Sequence, residues 1–152
     1  MSLRDLAGTK RTGRLYRRTL TGREVRRMRK RGYDAEREIV AMLREAGFKA
    51  VRIPVSAPSN EPLPDVFAVR GEQIVAVEVK SQENYVYFKR RQVVKLHHFL
   101  EIHELYPKRM ALLAAKFKWG GWSFIIAEKL KDYSVKRGEG LSFEDFLRAC
   151  EK

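Results

Sequence analysis

Asp65-Val66-Phe67-Ala68-Val69-Arg70-Gly71-Glu72-Gln73-Ile74-Val75-Ala76-Val77-Glu78-Val79-Lys80 reads as two strands, Asp65 to Arg70 and Ile74 to Lys80, joined by a tight turn across Arg70-Gly71-Glu72-Gln73. Side chains alternate along a strand, so Ile74, Ala76, Glu78 and Lys80 share one face and Val75, Val77 and Val79 the other. Apolar residues on both faces mark a central strand covered on both sides. A carboxylate and an ammonium at the end of such a strand are costly unless a function uses them. If Arg70 pairs with Gln73, paired residue numbers add to 143 and Asp65 faces Glu78; a four-residue loop with Val69 opposite Ile74 gives the same sum. Opposed side chains have Cβ atoms roughly 5 Å apart. Two carboxylates that close raise each other's pKa unless a cation lies between them, so both are expected to ligate one hard divalent ion, with Mg²⁺ taking oxygen ligands at about 2.1 Å. The competing reading is an ordinary Glu78–Lys80 salt bridge, with Asp65 merely opening a strand.

Upstream of this hairpin, Ile39, Val40, Leu43 and Ala46 recur at helical spacing from about Tyr33, and Gly47 is placed to end the helix. Glu36 falls on that apolar stripe, three, four and seven residues before Ile39, Val40 and Leu43, from which it can reach the metal cleft directly or through water. Glu38 falls on a more exposed face and reads as a solvated charge. Phe48 to Ile53 is expected to form a strand and Pro54 to Pro64 a loop. Downstream, a helix from about Lys89 to Tyr106 carries apolar residues around most of its circumference, so it needs cover on two sides. The sheet supplies one side and a second copy of the chain is expected on the other. Met110 to Phe117 and Ser123 to Ala127 read as strands around Trp119-Gly120-Gly121-Trp122, and Ser142 with Asp145 opens a last helix. The expected class is α/β, with a mixed sheet flanked by helices in a single domain.

The 152 residues suffice for one core. The single cysteine, Cys150, excludes an intramolecular disulfide. No signal-peptide pattern and no run of about 18 apolar residues is present, so a cytoplasmic, nucleoid-associated protein is expected rather than a secreted or membrane-spanning one. The net charge of +13 points to a polyanion, and it is concentrated: residues 1–31 hold 12 Lys and Arg against Asp5 and Glu24. Residues 1–29 are accordingly read as a basic arm that binds phosphate, and 30–152 as the folded domain. A DNA-packaging scaffold would need only that arm and a dimer.

Glu36, Pro64-Asp65 and Glu78-Val79-Lys80 resemble the PD-(D/E)XK motif of the restriction-endonuclease-like nucleases. Gly32-Tyr33-Asp34-Ala35-Glu36-Arg37, Val51-Arg52-Ile53-Pro54-Val55-Ser56, Tyr87 with Gln92, and Gly140-Leu141-Ser142-Phe143-Glu144-Asp145 extend the resemblance, from about Lys30 to Glu151, to the archaeal Holliday junction resolvase family. The resemblance implies a homodimer that grips a four-way DNA junction and cuts two opposed strands using Mg²⁺ or Mn²⁺. By position, Asp65 and Glu78 match the family's metal ligands, Glu36 the helical acid that joins them, Lys80 the catalytic lysine, Ser56 the serine of the catalytic loop, Arg52 the basic residue leading into it and Gln92 a helical glutamine. Arg29, Lys30, Arg31, Arg52, Lys89, Arg90 and Gln92 are the expected DNA contacts. The loop from Ala57 to Pro64 lacks the Lys and Arg common in relatives, which shifts the expected grip toward the basic arm. Another nuclease of the same superfamily, specific for forks, flaps or linear sites, is the alternative. Ser56 as a nucleophile lacks a His or Lys at interpretable spacing, and His97, His98 and His103 read as packing or interface residues.

Overall fold

The computed structural model describes residues 18–54 and 60–152. Strands β1 (Lys49–Arg52), β2 (Val66–Arg70), β3 (Gln73–Gln82), β5 (Lys108–Phe117) and β6 (Gly121–Ile126) form one sheet in the order β1-β2-β3-β5-β6. All neighbours are antiparallel except β3 and β5, which run parallel. Parallel neighbours require a crossover, and here it consists of β4 (Tyr85–Phe88) and helix α2 (Arg90–Ile102). Strand β4 pairs with β7 (Tyr133–Lys136) in a separate two-stranded ribbon. Helices α1 (Gly22–Glu45) and α3 (Phe143–Cys150) complete the chain.

Each face of β3 closes its own core. Val75, Val77 and Val79 pack with Ala35, Ile39, Val40 and Leu43 of α1 and with Phe146 of α3. Ile74 and Ala76 pack with Val93, Leu96, Phe99 and Leu100 of α2, and with Val86, Phe88 and Val135 of the ribbon. The mixed sheet between two helical layers is the α/β architecture expected from the hairpin.

Three local readings are corrected. Helix α1 begins at Gly22 rather than near Tyr33: Thr21 Oγ1 accepts from Glu24 N–H at 3.1 Å, and the Glu24 carboxylate accepts from Thr21 N–H at 2.9 Å. This capping box starts a helix in a segment whose arginines favour helix but have no core to meet, so apolar periodicity detects only the half that packs. The boundary drawn at residues 29/30 falls inside this continuous helix. Helix α2 ends at Ile102, not Tyr106. Strands β4 and β7 are four residues each, too short for their alternation to stand out beside the charged residues around them. Helix α3 opens as expected, with Asp145 N–H donating to Ser142 Oγ at 3.1 Å.

Candidate active site

The hairpin register is Arg70↔Gln73 through Val66↔Val77, so paired numbers add to 143. Gly71 takes φ +57°, the left-handed conformation that the tight turn demands. Asp65 lies one step beyond the last strand pair and donates its N–H to the Val77 carbonyl at 3.1 Å. Its Oδ2 accepts from Val79 N–H at 2.8 Å, which turns the carboxylate toward the end of β3. Glu78 projects from the α2 side of the sheet, where Gln92 Nε2 donates to its Oε1 at 3.1 Å. Gln92 is itself held because its Oε1 accepts from Lys89 N–H at 3.0 Å. The glutamine expected among the DNA contacts therefore orients Glu78 from the first turn of α2.

Burial and neighbouring carboxylate charge push both carboxyls upward, Asp65 to about 6 and Glu78 to about 8. Desolvation is the leading cause in each case, because charge at the edge of an apolar core is poorly solvated. For Glu78 the Asp65 charge adds to it, and the Glu36 charge acts on both. Three interactions oppose the rise on Asp65: the Val79 N–H hydrogen bond first, then the Arg52 charge and a hydrogen bond with the Glu78 side chain. The pair behaves as two carboxyls sharing a proton.

Lys80 lies two residues beyond Glu78 on the same face. Its Nζ donates to the Tyr87 carbonyl at 2.6 Å and sits 5.4 Å from the centre of the Phe88 ring. Burial lowers its pKa from the usual ammonium value, against the opposing pull of Glu78. The β4 backbone thus holds the lysine, a contact invisible in sequence because it runs through a main-chain carbonyl.

Glu36 is placed differently from Asp65 and Glu78. Helix α1 covers the Val75–Val77–Val79 face, so the Glu36 carboxylate approaches from the opposite side of the sheet and forms an ion pair with Arg52. The Arg52 guanidinium also stacks 4.5 Å from the centre of the Tyr33 ring, at the end of β1, where its charge acts on Asp65. Among the described residues, no three His, Cys, Asp or Glu side chains stand together as a ready metal cage. Ser56 lies outside the described residues. Of the expected DNA contacts, Arg29, Lys30 and Arg31 lie exposed on α1 and Lys89 and Arg90 at the start of α2. Arg90 anchors the segment before β7, its N–H donating to Asp132 at 2.7 Å and its Nε to the Leu130 carbonyl at 3.1 Å.

Glu38, read as a solvated charge, instead pairs with Lys116 and accepts from Trp122 Nε1 at 3.0 Å. His97 contacts the Ala127 carbonyl at 2.6 Å and His103 the Phe99 carbonyl at 2.8 Å, packing roles as expected. Cys150 is buried and free, and desolvation raises its thiol pKa.

Opposed acids at the end of a central strand, with a lysine two residues on, define a nuclease of the PD-(D/E)XK class. Residues 27–152 match the family model described as archaeal Holliday junction resolvase (Hjc), and the chain belongs to that family. It is 42% identical to the crossover junction endodeoxyribonuclease Hje of Saccharolobus solfataricus over 80% of this chain and 90% of that protein. Identity to the Hje of Sulfolobus acidocaldarius is 41%, over 76% of this chain and 84% of that one. The solved structure of Hjc from Archaeoglobus fulgidus, a Holliday junction resolvase, superposes with a TM-score of 0.63 at 26% identity, covering 76% of this chain and 99% of that one.

Proposed function

We propose that this chain is a crossover junction endodeoxyribonuclease that resolves four-way DNA junctions by paired phosphodiester hydrolysis. The observation that carries the reading is the opposition of Asp65 and Glu78 across the β2–β3 hairpin with Lys80 on the Glu78 face. Nucleases of this resolvase family are in general divalent-metal dependent, and the site fits such an ion: two oxygen-donor carboxyls stand together, each raised by burial, so a hard cation between them would relieve the cost of ionising both. Asp65 and Glu78 would hold Mg²⁺ or Mn²⁺, with Glu36 acting on it through water or through charge. The bound ion would supply Lewis-acid polarisation of the scissile phosphate and a lowered pKa for the attacking water.

The protein's own groups set the rest. Gln92 and the Val79 N–H fix the two carboxylates before DNA arrives, so no reorganisation is needed at the moment of reaction. Lys80 offsets negative charge developing on the phosphate oxygens. Ser56 donates to the phosphate, and Arg52 steadies Glu36. Arg29, Lys30 and Arg31 on α1 and Lys89 and Arg90 at the start of α2 neutralise the DNA backbone; residues 1–29 act as a basic arm whose last part, from Gly22, runs as one helix into the nuclease domain of residues 30–152. Such contacts carry no base readout and weaken steeply with salt.

Paired cutting needs two sites, and we assign a homodimer to the end of α2. Ile102, the last residue of α2, and Leu105, in the turn that follows it, are 68% and 93% exposed, an uncovered apolar patch beside the face of α2 that packs on the sheet. The Ile102→Asp/Leu105→Asp double variant should sediment as a monomer and nick one strand rather than two; an unchanged mass at the same concentration removes this interface. No described helix is long and apolar enough to cross a membrane, and we place the activity on cytoplasmic, nucleoid DNA. The deciding experiment compares a four-way junction with linear duplex, forks and nicked DNA, with Mg²⁺ and with chelator. Junctions should be cut at paired positions only with metal. Equal cutting of linear duplex would reject the resolvase reading in favour of a general nuclease, and no cutting at all would favour a DNA-binding scaffold.

A further inference from the structure

The ribbon of β4 and β7 has two unlike faces. Val86, Phe88 and Val135 point inward to the core shared with α2. Tyr85 and Tyr87 point outward, 49% and 40% exposed, and the register sets Lys136 beside Tyr85 and Ser134 beside Tyr87. The inner face already closes the core, so the outer rings add little to folding. The two segments that build the ribbon, 85–91 and 128–137, carry seven Lys and Arg against two acids, a charge suited to a polyanion. Asp132 holds the Tyr87 hydroxyl while also accepting from Arg90 N–H, which fixes one ring in place. The ribbon also adjoins the cutting site, since the Tyr87 carbonyl is the group that receives Lys80 Nζ at 2.6 Å.

Residues two apart on a strand stand about 6.8 Å from each other, roughly twice the 3.4 Å separation of successive bases along one DNA strand. Rings at that spacing match bases that have left their stack and do not match a closed duplex. Aromatic rings beside a cationic groove take such bases irrespective of sequence, because every base has a π-face. We infer that the outer face of the β4–β7 ribbon is a stacking platform for nucleobases exposed at the branch point, with Tyr85 and Tyr87 meeting base faces and Lys136 the neighbouring phosphate. The inference rests on the junction-resolving reading and gives it a source of selectivity for branched over linear DNA.

The test measures affinity of the full chain, in chelator so that nothing is cut, for a four-way junction and for linear duplex of equal length. Tyr85→Ala and Tyr87→Ala should each lower junction affinity, roughly tenfold for a ring that stacks on a base, and leave duplex affinity unchanged. Tyr85→Phe should keep the junction preference, since the ring and not the hydroxyl is used. With 2-aminopurine at the branch, binding of the unmodified chain should quench its fluorescence, and the double alanine variant should not. Lys136→Ala should reduce the salt-dependence slope by about 0.9. Equal losses on junction and duplex, loss with Tyr85→Phe, or undiminished quenching by the double alanine variant would each overturn the platform. An unmodified chain that shows no junction preference would instead reject the resolvase reading itself, so the two failures are distinguishable.

Discussion

Glu78→Gln should abolish junction cleavage, by at least about a thousandfold, the scale on which charge stabilisation at a reacting centre is lost, while leaving junction binding within a factor of two or three. The substitution keeps the shape of the side chain and its contact with Gln92 Nε2 but removes the charge that would hold a metal. The cations assigned to the DNA backbone lie elsewhere, on α1 and at the start of α2. The same change should stabilise the metal-free protein. A carboxyl raised to about 8 by burial and by Asp65 is an unfavourable group to ionise, and an amide need not ionise. Above pH 8 the variant should melt roughly 5 °C higher than the parent, corresponding to one or two kcal/mol for a chain of this size. Single-turnover cleavage, a binding titration and a thermal melt at pH 8.5 supply the three readouts. Retained cleavage would remove Glu78 from the site, and a lower melting temperature would contradict the account of its burial.

Metal affinity should climb steeply between pH 6 and pH 8. Asp65 and Glu78 are raised to about 6 and about 8, so the folded, metal-free protein binds protons more tightly than the unfolded chain. The stabilisation this provides is fully present below the ordinary carboxylate range and is lost as pH rises through 6 and then 8. An incoming divalent ion must displace the shared proton, so the half-saturating Mg²⁺ concentration should fall about tenfold per pH unit while one proton is released, roughly a hundredfold across the window. The thermal shift on adding Mg²⁺ follows this without any cleavage, and the cleavage rate at low Mg²⁺ should track it. Glu78→Gln should flatten the thermal-shift profile. An affinity independent of pH between 6 and 8 would show that the two carboxyls are not the groups that receive the ion.

Much of this site was legible because it is local. Asp65, Glu78 and Lys80 fall within sixteen consecutive residues, where strand alternation and one turn determine which side chains meet. Local pattern likewise found both faces of β3 and the N-cap of α3. Glu36 was placed on the correct helix, but which side of the sheet that helix covers is a matter of tertiary packing, and only the structure shows it bound to Arg52. For Arg52 and Gln92, expected as DNA contacts by resemblance, the sequence gives no sign of which protein groups they also meet. Their partners, Glu36 and Glu78, lie 16 and 14 residues away. The start of α1 was missed because periodicity records burial, and Gly22 to Arg31 buries almost nothing. The ribbon was missed because its two strands are separated by more than forty residues and each is shorter than the window in which alternation becomes visible.

The turn at Gly71 and Glu72 works as a ruler for the chemistry. It lies six residues from Asp65, about 20 Å along the strand, yet together with the apolar pattern of the two strands it counts off which residue of β3 stands opposite Asp65. Exposed turns ordinarily absorb an added or missing residue at little cost. Here one residue more or less would slide β2 against β3, setting Asp65 against Val77 or Val79 and sending its carboxylate to the α1 side of the sheet. The strands would still pair and their apolar residues would still find a core. The length of this turn is therefore as much a part of the active site as the carboxylates it aligns.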